Sequence, residues 1–154
     1  MSNEQKQERI ERMYKKYQRK FPDVESISVA ELQELQAEGG AVVLVDVRQP
    51  EEQEVSMLPG AIRQSDFEAR RDEFTNATVV TYCTAGYRSG LYAKRLVAEG
   101  VEVKNLAGSI LAWTHSGQTL VHDGAETKRV HTYGPDWNLV AEGYEAVWGN
   151  SPEK

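Results

Sequence analysis

Thr78-Val79-Val80-Thr81-Tyr82-Cys83-Thr84-Ala85-Gly86-Tyr87-Arg88-Ser89 is the stretch from which the rest of the chain can be read. Its β-branched and aromatic half, through Tyr82, predicts a strand buried on both faces, and residues 89–99 predict a helix that stops at Gly100. The loop between them lies where backbone N–H groups have no helical partner and the helix dipole is positive. A thiolate or an oxyanion held there meets several N–H donors, here those of residues 84–89. Gly86 lets the backbone turn tightly, and Arg88 supplies a fixed positive charge for an anionic substrate. Taken alone, Cys83 reads as a small buried hydrophobe. Beside Gly86, Arg88 and a helix start it points to nucleophilic chemistry.

Outward from this loop the same alternation continues. Ala41-Val-Val-Leu-Val-Asp-Val47 is a second strand of the doubly buried type, and residues 102–106 form a third. Helices fall between them. Ser28 with Glu31 makes a capping box ahead of Leu32 and Leu35, and the helix ends at Gly39-Gly40. Ser65 with Glu68 repeats the box before a short helix carrying Phe67 and Phe74, and residues 110–113 begin another turn. Strands alternating with helices imply an α/β domain with a mainly parallel sheet. Ahead of it, residues 4–21 place Ile10, Met13, Tyr14, Tyr17 and Phe21 on one helical face.

Composition narrows the function. The chain has 154 residues, room for one domain, and 40% are hydrophobic. Its longest apolar run, Ala41 to Val45, is far short of the about 20 residues of a membrane span, and the charged N-terminus lacks a secretory core. A cytoplasmic chain with no membrane partner is expected. One cysteine excludes an internal disulfide, and a net charge of −6 gives no reason to expect nucleic acid. The three histidines, His115, His122 and His131, read as surface or tail packing rather than a metal site, and no cofactor is called for.

Three motifs carry a family resemblance. Cys83, Gly86, Arg88 and Ser89 match a Cys-x-x-Gly-x-Arg-Ser loop. Asp46-Val47-Arg48, Pro50-Glu51-Glu52 and Pro59-Gly60-Ala61 match the upstream signature, and residues 105–113, from Asn105 to Trp113, match an Asn-Leu-x-Gly-Gly-hydrophobic-x-x-Trp segment. Over about residues 27–113 the chain resembles a single-domain rhodanese-like sulfurtransferase. The resemblance implies a three-layer domain, a central five-stranded parallel sheet flanked by helices, and a Cys83 that carries a persulfide between half-reactions. Two departures stand out: Ser56-Met57-Leu58 occupies the place of Gly-His-Ile, and Ser109 the place of the second Gly. Asp46 and Arg48 are expected to hold the loop by pairing with neighbouring backbone or charge.

On this reading Cys83 is the nucleophile, Thr84, Ala85, Gly86, Tyr87, Arg88 and Ser89 bind substrate, and Asp46 and Arg48 support them. The thiolate attacks the outer sulfur of a donor such as thiosulfate, and a thiol or cyanide acceptor, or a sulfur-accepting protein, removes it. A phosphatase or arsenate reductase of related fold fits less well, since four residues separate Cys83 from Arg88 and an oxyanion cradle needs one more. A persulfide carrier or a regulatory binding module stays open. Three segments are expected: a helix over 1–26, the domain over 27–115, and an extension over 116–154 packing on the domain or on a second subunit. Trp137, Leu139, Tyr144, Val147 and Trp148 must be covered, with Tyr14, Tyr17 and Phe21 as the expected surface. Removal of residues 130–154 is expected to leave the reactivity of Cys83 little changed.

Overall fold

The structure, a computed structural model, describes residues 1–149; the expected extension therefore falls in part, at residues 150–154, outside the described residues. The first helix, α1 (Asn3–Gln18), opens on a Ser2–Gln5 capping box and buries Ile10 and Tyr14. It ends at Gln18, so Phe21, expected on the same face, instead follows in a turn, where it is buried. Next come β1 (Glu25–Ile27), α2 (Val29–Ala37) with the Ser28–Glu31 box in place, β2 (Val42–Asp46), α3 (Pro50–Val55) and β3 (Ile62–Arg63). The remaining elements of the α/β body are α4 (Gln64–Ala69), β4 (Thr78–Tyr82), α5 (Tyr87–Ala98), β5 (Val103–Leu106) and α6 (Ser109–Trp113).

One helix departs from expectation. Because β3 runs straight into α4, the N-cap is Arg63, and Ser65 sits inside the first turn with no capping bond. Phe74 belongs to a separate 3₁₀ turn, Arg71–Phe74, and its ring stacks on Phe67 with centroids 5.9 Å apart.

The five strands form one parallel sheet in the order β1-β5-β4-β2-β3. Alternation along each strand divides the core in two. Leu44, Val80, Tyr82 and Leu106 join α2 and α6 on one face, while Val43, Val45, Val79 and Val103 join α4 and α5 on the other. α1 supplies Ile10 to the first layer and Tyr14 to the second. The β4–α5 connection is thus held at the end of a central strand between two packed layers.

Beyond residue 116 the chain builds β6 (Leu120–His122) and β7 (Ala125–Thr127), an antiparallel hairpin, and β8 (Arg129–His131) and β9 (Glu145–Val147), a parallel pair. Asp123 and Gly124 both take positive φ, 49° and 80°, which suits a two-residue hairpin turn. Leu120, Val130, Leu139 and Val140 enter the same buried cluster as Ile10, Leu58, Leu111 and Trp113. The first helix receives part of this segment as expected, through Ile10, Met13 and Tyr17, which share a cluster with Trp137, Leu139 and Tyr144, whereas Tyr14 and Phe21 pack instead with Tyr92 and Leu96 of α5. The segment meets α1 through Lys6 Nζ, which donates to the Val140 carbonyl at 2.8 Å, and through Asn3, whose Oδ1 accepts the Glu142 N–H at 2.9 Å. It meets the body through a Met57–Val121 bridge and through Thr114, whose hydroxyl accepts the Ala141 N–H at 3.0 Å.

Candidate active site

β4 delivers Cys83 to the floor of a turn, and Gly86 caps α5 in the left-handed region at φ 110°. Glycine is required there twice over, because a Cβ would also lie 2.7 Å from the Tyr14 ring. The turn closes on the sulfur. Cys83 Sγ accepts the Gly86 N–H at 3.1 Å and the Ser89 hydroxyl at 3.4 Å. The sequence suggested a ring of N–H donors from residues 84–89; among the described residues the bonds made to Sγ are that one N–H and that one hydroxyl.

Side chains to which the sequence reading gave no role at the site brace the turn from behind. Asn105 Nδ2 donates to the Gly86 carbonyl at 2.9 Å and to the Tyr14 hydroxyl at 3.1 Å, while its Oδ1 accepts from Thr81 at 3.1 Å. Ser109 adopts φ 47° at the position of the expected second Gly. Its hydroxyl accepts the Cys83 N–H at 3.2 Å and donates to Leu106 O at 2.9 Å, a local compensation for a strained backbone. The Ile110 and Leu111 N–H groups at the start of α6 donate to the carbonyls of Cys83 and Thr84, both at 3.1 Å.

Arg88 is placed differently from the free cation that the sequence suggested. Its guanidinium grips Glu52 of α3 with two bonds of 2.8 and 2.9 Å and donates to Thr84 Oγ1 at 3.1 Å. Burial pushes the Glu52 carboxyl up, yet the bonds from Arg88 and the Gln49 N–H, with the charges of Arg88 and Arg48, bring it below its ordinary value. The Tyr133 ring covers Arg88 at 4.8 Å. The charge that was to meet an anion is already matched.

Asp46 and Arg48 form a second, fully buried pair at 2.8 Å. Asp46 also accepts the Tyr82 hydroxyl at 2.5 Å, and Tyr82 in turn accepts the Leu58 N–H at 3.1 Å. Arg48 donates to the Ser56 carbonyl at 2.6 Å. The Ser56-Met57-Leu58 departure is thereby tied to the strand under Cys83 and, through Met57, to Val121 of the added hairpin.

Cys83 opens into a cavity of about 330 Å³ lined by Tyr17, Ala85, Tyr87, Tyr133 and Trp137. Two aromatic pairs wall it: Tyr17 with Tyr87 at 5.3 Å, and Tyr133 with Trp137 at 5.0 Å. Burial, reinforced by the charge of Cys83, pushes the Tyr17 and Tyr133 phenols up, so both stay neutral. Tyr133 escaped the sequence reading and Trp137 entered it only as apolar area to be covered, although the Gly134-Pro135 turn between them marks an ordered loop. Removal of residues 130–154 would take away these two wall residues of the Cys83 cavity. A larger cavity of about 580 Å³ lies between α1, α2 and α6, and Cys83 is not part of its lining. Among the described residues no group of three or more His, Cys, Asp or Glu is arranged to hold a metal, and no helix is long and apolar enough to cross a membrane.

Residues 28–116 match the rhodanese-like domain family. A sulfurtransferase of Allochromatium vinosum is 34% identical over 108 residues, which cover 64% of this chain and 95% of that one. A rhodanese-like domain protein from Staphylococcus aureus shares the fold at a TM-score of 0.55 and 29% identity, over 65% of this chain and 99% of that one. Thiosulfate sulfurtransferase from Pseudomonas aeruginosa superposes at a TM-score of 0.61 and 23% identity, over 83% of this chain; the match spans only 25% of that longer protein.

Proposed function

Since the chain belongs to the rhodanese-like domain family, we propose that it is a sulfurtransferase in which Cys83 carries the sulfur between donor and acceptor. One observation carries the reading: the only cysteine of the sequence sits at the head of α5 with the Gly86 N–H and the Ser89 hydroxyl aimed at its sulfur. Donors so placed stabilise negative charge on sulfur before and after the transfer.

The Cys83 thiolate attacks the outer sulfur of a sulfane donor, of which thiosulfate is the simplest. A bond forms from Sγ to that sulfur, the donor S–S bond breaks, and sulfite departs with the electron pair. The persulfide anion rests in the turn. An acceptor thiolate, or cyanide, then attacks the outer sulfur and releases Cys83 as a thiolate, so the two half-reactions are separable and kinetics are ping-pong. Glu52, Arg88 and Thr84 hold the loop; Asp46, Arg48 and Tyr82 hold the strand end beneath it.

Mass spectrometry after incubation with sulfane donors tests the proposal. The parent should gain one sulfur on Cys83 and lose it to an added thiol, and Cys83→Ser should gain none. A parent that takes no sulfur from any donor, or a Cys83→Ser variant that still turns over at a comparable rate, overturns the assignment.

A further inference from the structure

Resting on the sulfurtransferase reading, we infer that the site takes sulfur donors and acceptors whose group next to the reacting sulfur is apolar, an aryl or alkyl group, and works against dianionic donors such as thiosulfate. The inference joins two independent features, charge and shape.

The charge feature is the pairing of Arg88. A dianion approaching Cys83 meets a guanidinium that already holds the Glu52 carboxylate through two bonds and lies under the Tyr133 ring. Arg88 Nε has no hydrogen-bond partner but is buried, and to gain the terminal nitrogens and the unbalanced charge a dianion must displace Glu52, whose side chain is only 5% exposed and cannot swing into water without uncovering the loop. Arg48, the other cation near the loop, is consumed by Asp46 in the same way. The side chains that line the cavity, apart from the sulfur, bear no charge.

The shape feature is the aromatic wall. The Tyr17–Tyr87 and Tyr133–Trp137 ring pairs line the cavity into which the sulfur opens, together with Ala85. Such a slot gains from covering a flat or branched hydrocarbon and loses from stripping water off an anion that finds no unpaired cation. Its volume of about 330 Å³ lies at the small end of ligand pockets, which suits a single ring or a short chain rather than a bulky thiol.

A matched comparison tests this. Benzenethiosulfonate and thiosulfate present the same terminal sulfane sulfur; on attack by Cys83 the first releases benzenesulfinate and the second sulfite, each leaving with the S–S electron pair. Single-turnover loading of Cys83 by each, divided by the rate of the same donor with free N-acetylcysteine, removes intrinsic reactivity. The normalised rate constant should favour the aryl donor by about tenfold or more, the scale of burying one ring. Among acceptors, benzyl mercaptan should exceed 4-(mercaptomethyl)benzoate by a similar factor. Glu52→Gln, which removes the matching charge while keeping the shape, should shrink the donor ratio by raising the thiosulfate rate, and Trp137→Ala should shrink it by lowering the aryl rate. Equal normalised rates, or a preference for thiosulfate in the parent protein, overturn the inference while the sulfurtransferase reading stands. Failure of both donors to load Cys83 overturns the inference and the sulfurtransferase reading together.

Discussion

At the scale of single residues, the two buried ion pairs govern the site. Asp46→Asn leaves Arg48 with a full charge and no matching carboxylate in a fully buried position, and should destabilise the protein by roughly 3–5 kcal/mol in urea unfolding. Arg88→Ala acts differently from the loss of a free cation. It strands Glu52 beside the sulfur, so loading of Cys83 should fall for charged and uncharged donors alike, as single-turnover rates with each will show. The Glu52–Arg88 pair also sets a pH dependence. The folded-state Glu52 value is lowered from its ordinary 4.5, so the pair stabilises the protein fully above that value and its contribution fades as pH falls through the shifted one. The stability difference between the parent and Glu52→Gln should therefore be constant from pH 7 to about pH 5 and shrink below about pH 4.5. The charge on Arg88 was legible in the sequence, but its partner was not. Glu52 lies 36 positions away on another helix, and nothing in a linear pattern says which acid a base will face.

At the scale of elements, glycine marks the close approaches. Gly90 on α5 faces the Phe21 ring, where an added Cβ would come within 2.2 Å of two ring atoms. Gly90→Ala should cost roughly 1–3 kcal/mol through overpacking, measured by thermal unfolding, and Phe21→Leu in the same chain should restore part of it. The elements that sequence showed most clearly, β2 and β4, are Val-rich runs buried on both faces, where only a central parallel strand fits. The two strands it missed, β1 and β3, are three and two residues long, too short to show a period, and owe their existence to pairing with β5 and β2. The same holds for β8 and β9, whose three-residue pairing joins segments that sequence alone leaves as loop. Ser65 illustrates the opposite error: a capping motif was present, but a preceding strand fixed the helix start two residues too early for it to act.

At the scale of the whole molecule, the core extends past the segment that resembles other family members. Leu139 lies outside residues 28–116 yet is buried with Leu111, Trp113 and Ile10. Leu139→Ala should cost about 2–5 kcal/mol, as a large-to-small change in an interior does, and unfolding should stay one transition by both tryptophan fluorescence and circular dichroism. Two separate transitions would show that residues beyond 116 melt on their own. The parallel pairing of β8 with β9 has a further consequence, for the order in which the protein comes into being. A ribosome makes Cys83 and its turn long before it makes Tyr133, Trp137 and the strand at residues 145–147 that anchors their loop. On the nascent chain the nucleophile therefore exists for a time without its outer wall, open to whatever oxidant or thiol is at hand. The site acquires its own chemistry only once translation has passed residue 147.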